Sequence, residues 1–334
     1  MFSWNISLEE INKIESLKNS EILVTGGTGF IAKWIVDFVI YLNDILQFNI
    51  KLYLVSRKTS LYIDNIIMNR EDIIFIKSDV RNLRDIPSTI EYIIHGAATP
   101  DNNIHMSNPI EVMNIISQGT KQILEISLAL ENLKKILNIS SGQVYGALNL
   151  NSISEKDMGI LETNSINSVY PEAKRYGETL STAYKSLYKL PIVQVRPFSF
   201  VGPYMGLEKP WAINNFIKDA IKFKKIRILG NGKPTRSYMY PTDMVWWLFN
   251  MLVDSTDTSI YNLGSPESVS LEELAIKIKM RIGNSVNIEV LNMNEDVSTF
   301  VPSIDLVKDK LNLDLKVRID EALDHTINWA IKTL

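Results

Sequence analysis

Three side chains in this sequence have the types and spacing to move a proton at one oxygen atom. Tyr170 and Lys174 stand four positions apart in Tyr170-Pro-Glu-Ala-Lys174, and Ser141 lies upstream. On a helix, residues at that spacing share a face, so one element can aim both side chains at one reacting atom. A phenol with a pKa near 10 is a poor acid-base group at neutral pH. A nearby ammonium favours the phenolate and lowers that pKa toward the range where proton transfer is efficient. A serine hydroxyl can hydrogen-bond the same oxygen as charge grows on it. Tyrosine and lysine are common here, so this pair is a weak signal until its setting is known. Pro171 disfavours helical geometry at Tyr170, although proline is tolerated in a helix's first turn.

The setting is a strand, a turn and a helix. Strand Ile136–Ser140 predicts an exit at Ser140-Ser-Gly-Gln-Val-Tyr-Gly146, which puts Ser141 at a strand's carboxyl end. A helix over Pro171–Lys189 then presents the Tyr-Lys face. Further upstream, the apolar run Glu21–Val24 feeds Thr25-Gly26-Gly27-Thr28-Gly29-Phe30-Ile31-Ala32, and an amphipathic stretch from Trp34 to Leu46 follows. A glycine turn between strand and helix predicts dinucleotide binding. Gly26 permits the tight turn, Gly29 lets the backbone approach a pyrophosphate, and Ala32 is small enough for helix to pack on strand. The helix N-terminus offers N–H groups to phosphate.

Other strands are predicted at Ile22–Thr25, Leu52–Val55, Ile73–Lys77, Tyr92–Gly96 and Ile192–Val195, with helices near Ala32–Leu46 and Pro109–Ala129 between them. This alternation predicts an α/β fold with a doubly wound parallel sheet, its strands apolar on both faces. After Arg196-Pro197, frequent proline and glycine mark a loop-rich texture. We therefore expect a dinucleotide-binding domain over 1–200, to which 237–265 returns, and a smaller α/β substrate domain over 201–334.

The composition sets outer bounds. The 334 residues are 46% hydrophobic and 22% charged, ordinary for a globular chain, and the net charge of −3 gives no basic field for nucleic acid or anionic membrane. There is no cysteine, so no disulfide and no thiol nucleophile. The three histidines, His95, His105 and His325, lack ligand spacing, and no metal is expected. The start of the chain, Met1 to Ser20, predicts an amphipathic helix rather than a signal peptide. No uninterrupted apolar run is long enough to span a bilayer, and a cytoplasmic enzyme is expected.

Taken together, the glycine turn, the Ser140–Gly146 segment and Tyr170-Pro-Glu-Ala-Lys-Arg-Tyr-Gly-Glu178 resemble extended short-chain dehydrogenase/reductases. More narrowly, they resemble the nucleotide-sugar epimerase/dehydratase group, whose fold is the Rossmann fold. The likeness continues through Arg196–Pro203, Ile228–Asp243 and Tyr261–Gly264. The resemblance implies a catalytic triad of Ser141, Tyr170 and Lys174, with Lys174 also on the nicotinamide ribose. It implies cofactor contacts from Gly26, Thr28, Gly29, Phe30 and Ile31, from Asp79-Val80 beside the adenine, from Ala97-Ala98, and from Pro197-Phe198 flanking the nicotinamide. Arg236 resembles the arginine that holds a substrate diphosphate. Ser141, Gln143, Ser199 and Asn215 would also line the substrate site. Asp243 is expected to cap the helix Met244–Leu252. The group also implies a homodimer through the Tyr170 helix and the one before it.

Departures from the group's pattern narrow the reaction. Members that dehydrate sugars carry an acid and a base directly after the catalytic Ser or Thr; this chain has Gly142-Gln143, and neither shuttles a proton. Decarboxylating members carry Glu at the place of Gln143. Members that epimerise before reducing use a cysteine, and there is none. Ser199 stands where many members have Asn. The second strand ends Leu54-Val55-Ser56-Arg57-Lys58 with no acid to bind adenosine ribose hydroxyls. Ser56, Arg57 and Lys58 suit a 2′-phosphate, hence NADP(H), with NAD the other option; a solvated basic turn is the alternative. The expectation is NADPH-dependent reduction of a nucleotide-linked 4-keto-6-deoxy sugar. Its rivals are a 4-epimerase with retained NAD, a 4,6-dehydratase, and a non-enzymatic NADP-binding scaffold or sensor.

Overall fold

A computed structural model describes residues 4–58, 67, 69–254, 256–293 and 297–334. Its main sheet comprises β1 (Glu21–Thr25), β2 (Lys51–Ser56), β3 (Ile73–Lys77), β4 (Tyr92–His95), β5 (Lys135–Ile139), β6 (Ile192–Pro197) and β9 (Ile260–Leu263). These lie in the order β3-β2-β1-β4-β5-β6-β9, every neighbour parallel. Helices α2 (Phe30–Leu46), α3 (Asn102–Ser107), α4 (Pro109–Ser127), α5 (Val169–Tyr188) and α7 (Pro241–Val253) make crossovers. The order reverses at β1 and β4, and the crevice beyond their carboxyl ends is where such sheets bind ligands.

Strand periodicity explains why the sheet is covered on both sides. In β1, Ile22 and Val24 join one apolar cluster while Leu23 joins the other. Ile94 and Leu137 point to the first side, Ile93 and Ile136 to the second. Each strand divides its side chains between two cores because the pleat repeats every second residue. The larger core also takes in Trp246, Trp247 and Phe249 of α7, with Phe249 edge-on to Phe38 of α2 at 4.8 Å.

The remaining strands form two small sheets. β8 (Thr235–Ser237) lies between β10 (Ser268–Ser270) and β12 (Thr299–Phe300), and β7 (Lys225–Ile228) pairs with β11 (Asn287–Val290). Helices α6 (Ala212–Phe223), α8 (Leu271–Ile282), α9 (Asp305–Leu311) and α10 (Ile319–Thr333) complete this half. Helix α8 starts at a capping box, with Ser270 Oγ accepting from Glu273 N and the Glu273 carboxylate accepting from Ser270 N.

Two local expectations change. The N-terminal helix is only α1 (Leu8–Asn12), followed by a 3-10 turn over Glu15–Leu17, and residues 1–3 lie outside the described residues. A tighter winding brings Ile14 and Leu17 inward together, since side chains three apart eclipse in a 3-10 turn. Asp243 does not cap α7, whose N-cap is Tyr240. Its carboxylate Oδ2 instead accepts N–H bonds from Lys316 at 3.0 Å and Val317 at 2.9 Å, pinning the C-terminal segment. Among the described residues, no helix is long and apolar enough to cross a membrane.

Candidate active site

Tyr170 and Lys174 sit in the first turns of α5, and Pro171 fits there because the early N–H groups of a helix have no partner to lose. Ser141 follows β5 and opens a 3-10 turn over Gly142–Tyr145, its Oγ accepting from Gln143 N at 3.1 Å. The fold thus brings the three expected residues together. The Ser141 side chain stands near enough to Tyr170 to favour its charged form, and Lys174 Nζ lies 6.0 Å from the Tyr170 ring centre. Nζ donates to the Ile139 carbonyl at 2.7 Å, which anchors it at the end of β5.

Burial dominates the electrostatics of the triad. It pushes the Tyr170 phenol up to about 12, with the nearby Ser141 hydroxyl working in the opposite sense. It pulls the Lys174 ammonium down to about 8, opposed by the carboxylate of Glu178 one helical turn on. At neutral pH Lys174 is therefore still charged beside a neutral Tyr170.

A fourth residue belongs to this cluster. The His105 imidazole, from α3, stacks on the Tyr170 ring at 4.3 Å and 12°. Its Nε2 donates to the Thr99 carbonyl at 2.6 Å, and burial lowers its pKa. No local pattern announces this contact, because Tyr170 lies in a different crossover.

The glycine turn is shaped for a close ligand. Gly26 adopts φ +74°, and a Cβ there would lie 2.8 Å from the Gly96 carbonyl. Gly29 is the N-cap of α2, and no side chain caps that helix end. Thr25 Oγ1 accepts from Gly96 N and Ala97 N, both at 3.2 Å, so its proton points to His95 Nδ1 at 2.7 Å. Nε2 of this buried histidine then donates to Thr120 at 3.2 Å. Burial, seconded by Lys174, holds the His95 pKa down to about 3. This chain of bonds fixes the ends of β1 and β4 on either side of the crevice.

Phe30 and Ile31 begin α2 beneath the turn. Thr28 Oγ1 lies 3.1 Å from Ser56 Oγ, which also donates to the Lys58 carbonyl. Arg57 lines a cavity of about 150 Å³ with Thr99, Ile104, Asn108, Glu111 and Val112. An uncapped helix end, a turn that excludes Cβ atoms and a cavity edged by a guanidinium fit the phosphates of a dinucleotide. Arg81 grips both oxygens of Asp79 at 2.9 and 2.8 Å, and Val80 is buried against Gly119. Ala98 packs against Val112, Ile116, Tyr170 and Ala173, whereas Ala97 packs on the second core with Leu23, Val55 and Val80.

On the substrate side the residues are more dispersed. Pro197 ends β6, and Phe198 N donates to Leu263 O at 2.8 Å. Gln143 is exposed, and the Ser199 carbonyl accepts from Met239 N at 3.0 Å. Arg236 Nη1 donates to the Thr235 and Ser298 carbonyls, and its Nη2 donates to Ser298 Oγ at 3.0 Å. Asn215 stands on α6, which packs on β7 and α8. Its neighbour Asn214 donates to the Gly206 carbonyl and leaves its own Oδ1 buried without a partner among the described residues.

Behind the triad runs a buried polar brace. Arg196 binds Glu178 through two bonds, Nε–Oε1 at 2.9 Å and Nη2–Oε2 at 2.6 Å, and lies 4.7 Å above the Tyr145 ring. Tyr145 donates to Asn262 Oδ1 at 2.6 Å. The brace joins α5, β6, β9 and the loop after Ser141.

Comparison with known proteins follows the same lines. The model of the NAD dependent epimerase/dehydratase family matches residues 22–264. UDP-glucuronic acid decarboxylase 1 of Xenopus tropicalis is 28% identical over 324 residues, covering 94% of this chain and 72% of the relative. UDP-glucuronic acid decarboxylase 5 of Arabidopsis thaliana is 28% identical, covering 91% and 87%. An epimerase from Methanothermobacter thermautotrophicus has the same fold, with a TM-score of 0.83, 23% identity and coverage of 98% and 96%. So does UDP-glucuronic acid 4-epimerase of Bacillus cereus, solved with UDP-glucuronic acid and NAD, at a TM-score of 0.79, 23% identity and coverage of 94% and 99%.

Proposed function

Because the chain belongs to the NAD dependent epimerase/dehydratase family, we propose that it acts on a nucleotide-linked keto sugar. The reaction we assign is NADPH-dependent reduction of a 4-keto-6-deoxyhexose. The observation that carries this reading is the loop after Ser141. Gly142 lies under the rings of Phe198 and Phe300, and Gln143 cannot donate or accept a proton at neutral pH, which leaves Tyr170 and Ser141 to act on the sugar. That set suits interconversion of a carbonyl and an alcohol. It does not suit loss of water or of carbon dioxide, so the names of the decarboxylase relatives are not carried over.

A reduced nicotinamide, when bound, would supply hydride to the keto carbon. Tyr170 gives its proton to the carbonyl oxygen as the C=O bond becomes C–OH, and Ser141 hydrogen-bonds that oxygen while charge develops. Lys174 stays protonated below about 8 and steadies the phenolate left behind. Gly26, Gly29 and the start of α2 would hold the pyrophosphate, and Ser56, Arg57 and Lys58 the 2′-phosphate. Arg236 would take the sugar diphosphate after exchanging its bonds to Ser298.

The NAD reported in the Bacillus cereus enzyme supports a second reading, a 4-epimerase that keeps NAD and shows no net oxidation. Identifying the nucleotide released on denaturation separates the two. An empty site that prefers NADPH to NADH supports the reductase, and stoichiometric NAD overturns it. A homodimer through α4 and α5 belongs to the same proposal. Ile110, Met113, Tyr176 and Leu187 on these helices are exposed, and a solution mass of one chain would remove it.

A further inference from the structure

Phe300 occupies an unusual place. It lies in the two-residue strand β12, in parallel register with Arg236 of β8. Register partners in a sheet project to the same side, so the Phe300 ring and the Arg236 guanidinium share one face. The ring reaches toward the triad: a Cβ on Gly142 would lie 2.7 Å from Phe300 Cζ and 3.1 Å from Phe198 Cε2. Phe300 and Phe198 pack with ring centres 4.5 Å apart. Phe300 remains only partly buried, whereas Phe198 and Gly142 are buried. A two-ring apolar wall thus spans from the proposed diphosphate anchor to the residue beside Ser141.

We infer that Phe300 is a specificity-determining residue, selecting a sugar whose C6 carries no polar group. The inference rests on the proposed reading of the site. With the diphosphate on C1 at Arg236 and the reacting C4 at Ser141 and Tyr170, the sugar spans the wall along the ring's long axis. One of its two edges must face the aromatic rings. The C2–C3 edge carries two hydroxyls, each of which would lose its water against a phenyl ring without gaining a partner. The other edge carries the ring oxygen, C5 and C6. It lies against the rings without loss only when C6 is a methyl group or is missing. A hydroxymethyl group there meets an apolar surface, and a carboxylate meets a worse one. Gly142 is part of the device, since a larger residue would push Phe300 off the wall.

The test is binding, which does not depend on turnover. Glucose, 6-deoxyglucose and glucuronic acid, each linked to uridine, thymidine, cytidine or guanosine diphosphate, are titrated into the full chain loaded with NADP. For the nucleoside that binds tightest, the 6-deoxy sugar should bind about 10- to 100-fold tighter than glucose, with glucuronic acid weakest. Phe300→Ser should bring the ratio of 6-deoxyglucose to glucose toward unity, and Phe300→Leu should keep most of it. NADP binding by both variants shows that they are folded. Equal or tighter binding of the glucuronic acid form by the wild type overturns the inference. So does an unchanged ratio in folded Phe300→Ser, or no binding of any nucleotide sugar. A preserved 6-deoxy preference without reduction of the keto sugar overturns the proposed reaction and leaves this inference standing.

Discussion

Tyr170 is buried with its hydroxyl against Ser141, so its proton has one productive destination, an oxygen brought to that spot. Tyr170→Phe should lower kcat below detection and leave NADP binding nearly unchanged, as a dye-free titration would show. Lys174 links activity to pH and to stability in opposite directions. Its ammonium, held down to about 8 by burial, should lose its charge as pH rises, so reduction should fall above about pH 8. The unfolded chain keeps that proton up to about 10.4. Burying the charge therefore costs stability below about pH 8, and the cost fades as pH climbs. Lys174→Met should abolish turnover yet raise unfolding free energy at pH 7 by about 1–3 kcal/mol. His105 acts through its stack. His105→Ala should cut kcat about tenfold by freeing the Tyr170 ring, while His105→Phe, which keeps a flat ring there, should retain most of it; steady-state kinetics of both variants decide this.

At the scale of elements, helix α5 must be held firmly, because it carries both groups of the proton-transfer pair. The Arg196–Glu178 pair does this from inside the fold, tying the third turn of α5 to β6. Glu178→Ala would strand a buried guanidinium and should cost about 3–5 kcal/mol in urea unfolding. Which elements the sequence reveals depends on range. The glycine turn and Tyr170/Lys174 are legible because their geometry is local: a turn, or one helical face. Phe300 and His105 are not, because each meets the triad across the fold from an element too short to show a periodic pattern. Asp243 shows the converse error. An acid in the first turn looks like a cap, yet its partners lie at residues 316 and 317.

Across the whole molecule, that same Asp243 is a seam between α7 and the C-terminal segment. Burial lifts its carboxyl to about 6, against the N–H bonds from Val317 and Lys316 that favour the charge. An unfolded aspartate ionises near 3.9, so the native state loses stability as pH rises from about 4 to 6. Asp243→Asn keeps one oxygen to accept both N–H groups and drops the charge. It should raise the unfolding free energy at pH 7, measured by urea titration, by about 1–2 kcal/mol, and give no gain at pH 4. The parallel order of the main sheet was legible from strand and helix alternation, since each unit is continuous in sequence. The small sheets were not, because β8, β10 and β12 are two or three residues long and find their partners across long stretches of chain.

The placement of β9 beside β6 also bears on how the chain is made. Strand β6 ends at Pro197, and the neighbour that covers its outer edge begins only at Ile260. A ribosome adding about 5–20 residues per second leaves that edge open for several seconds. Unpaired strand edges recruit other strands. A fragment ending near residue 200 would keep the dinucleotide crevice and its open flank together, and it should form larger assemblies than the full chain does.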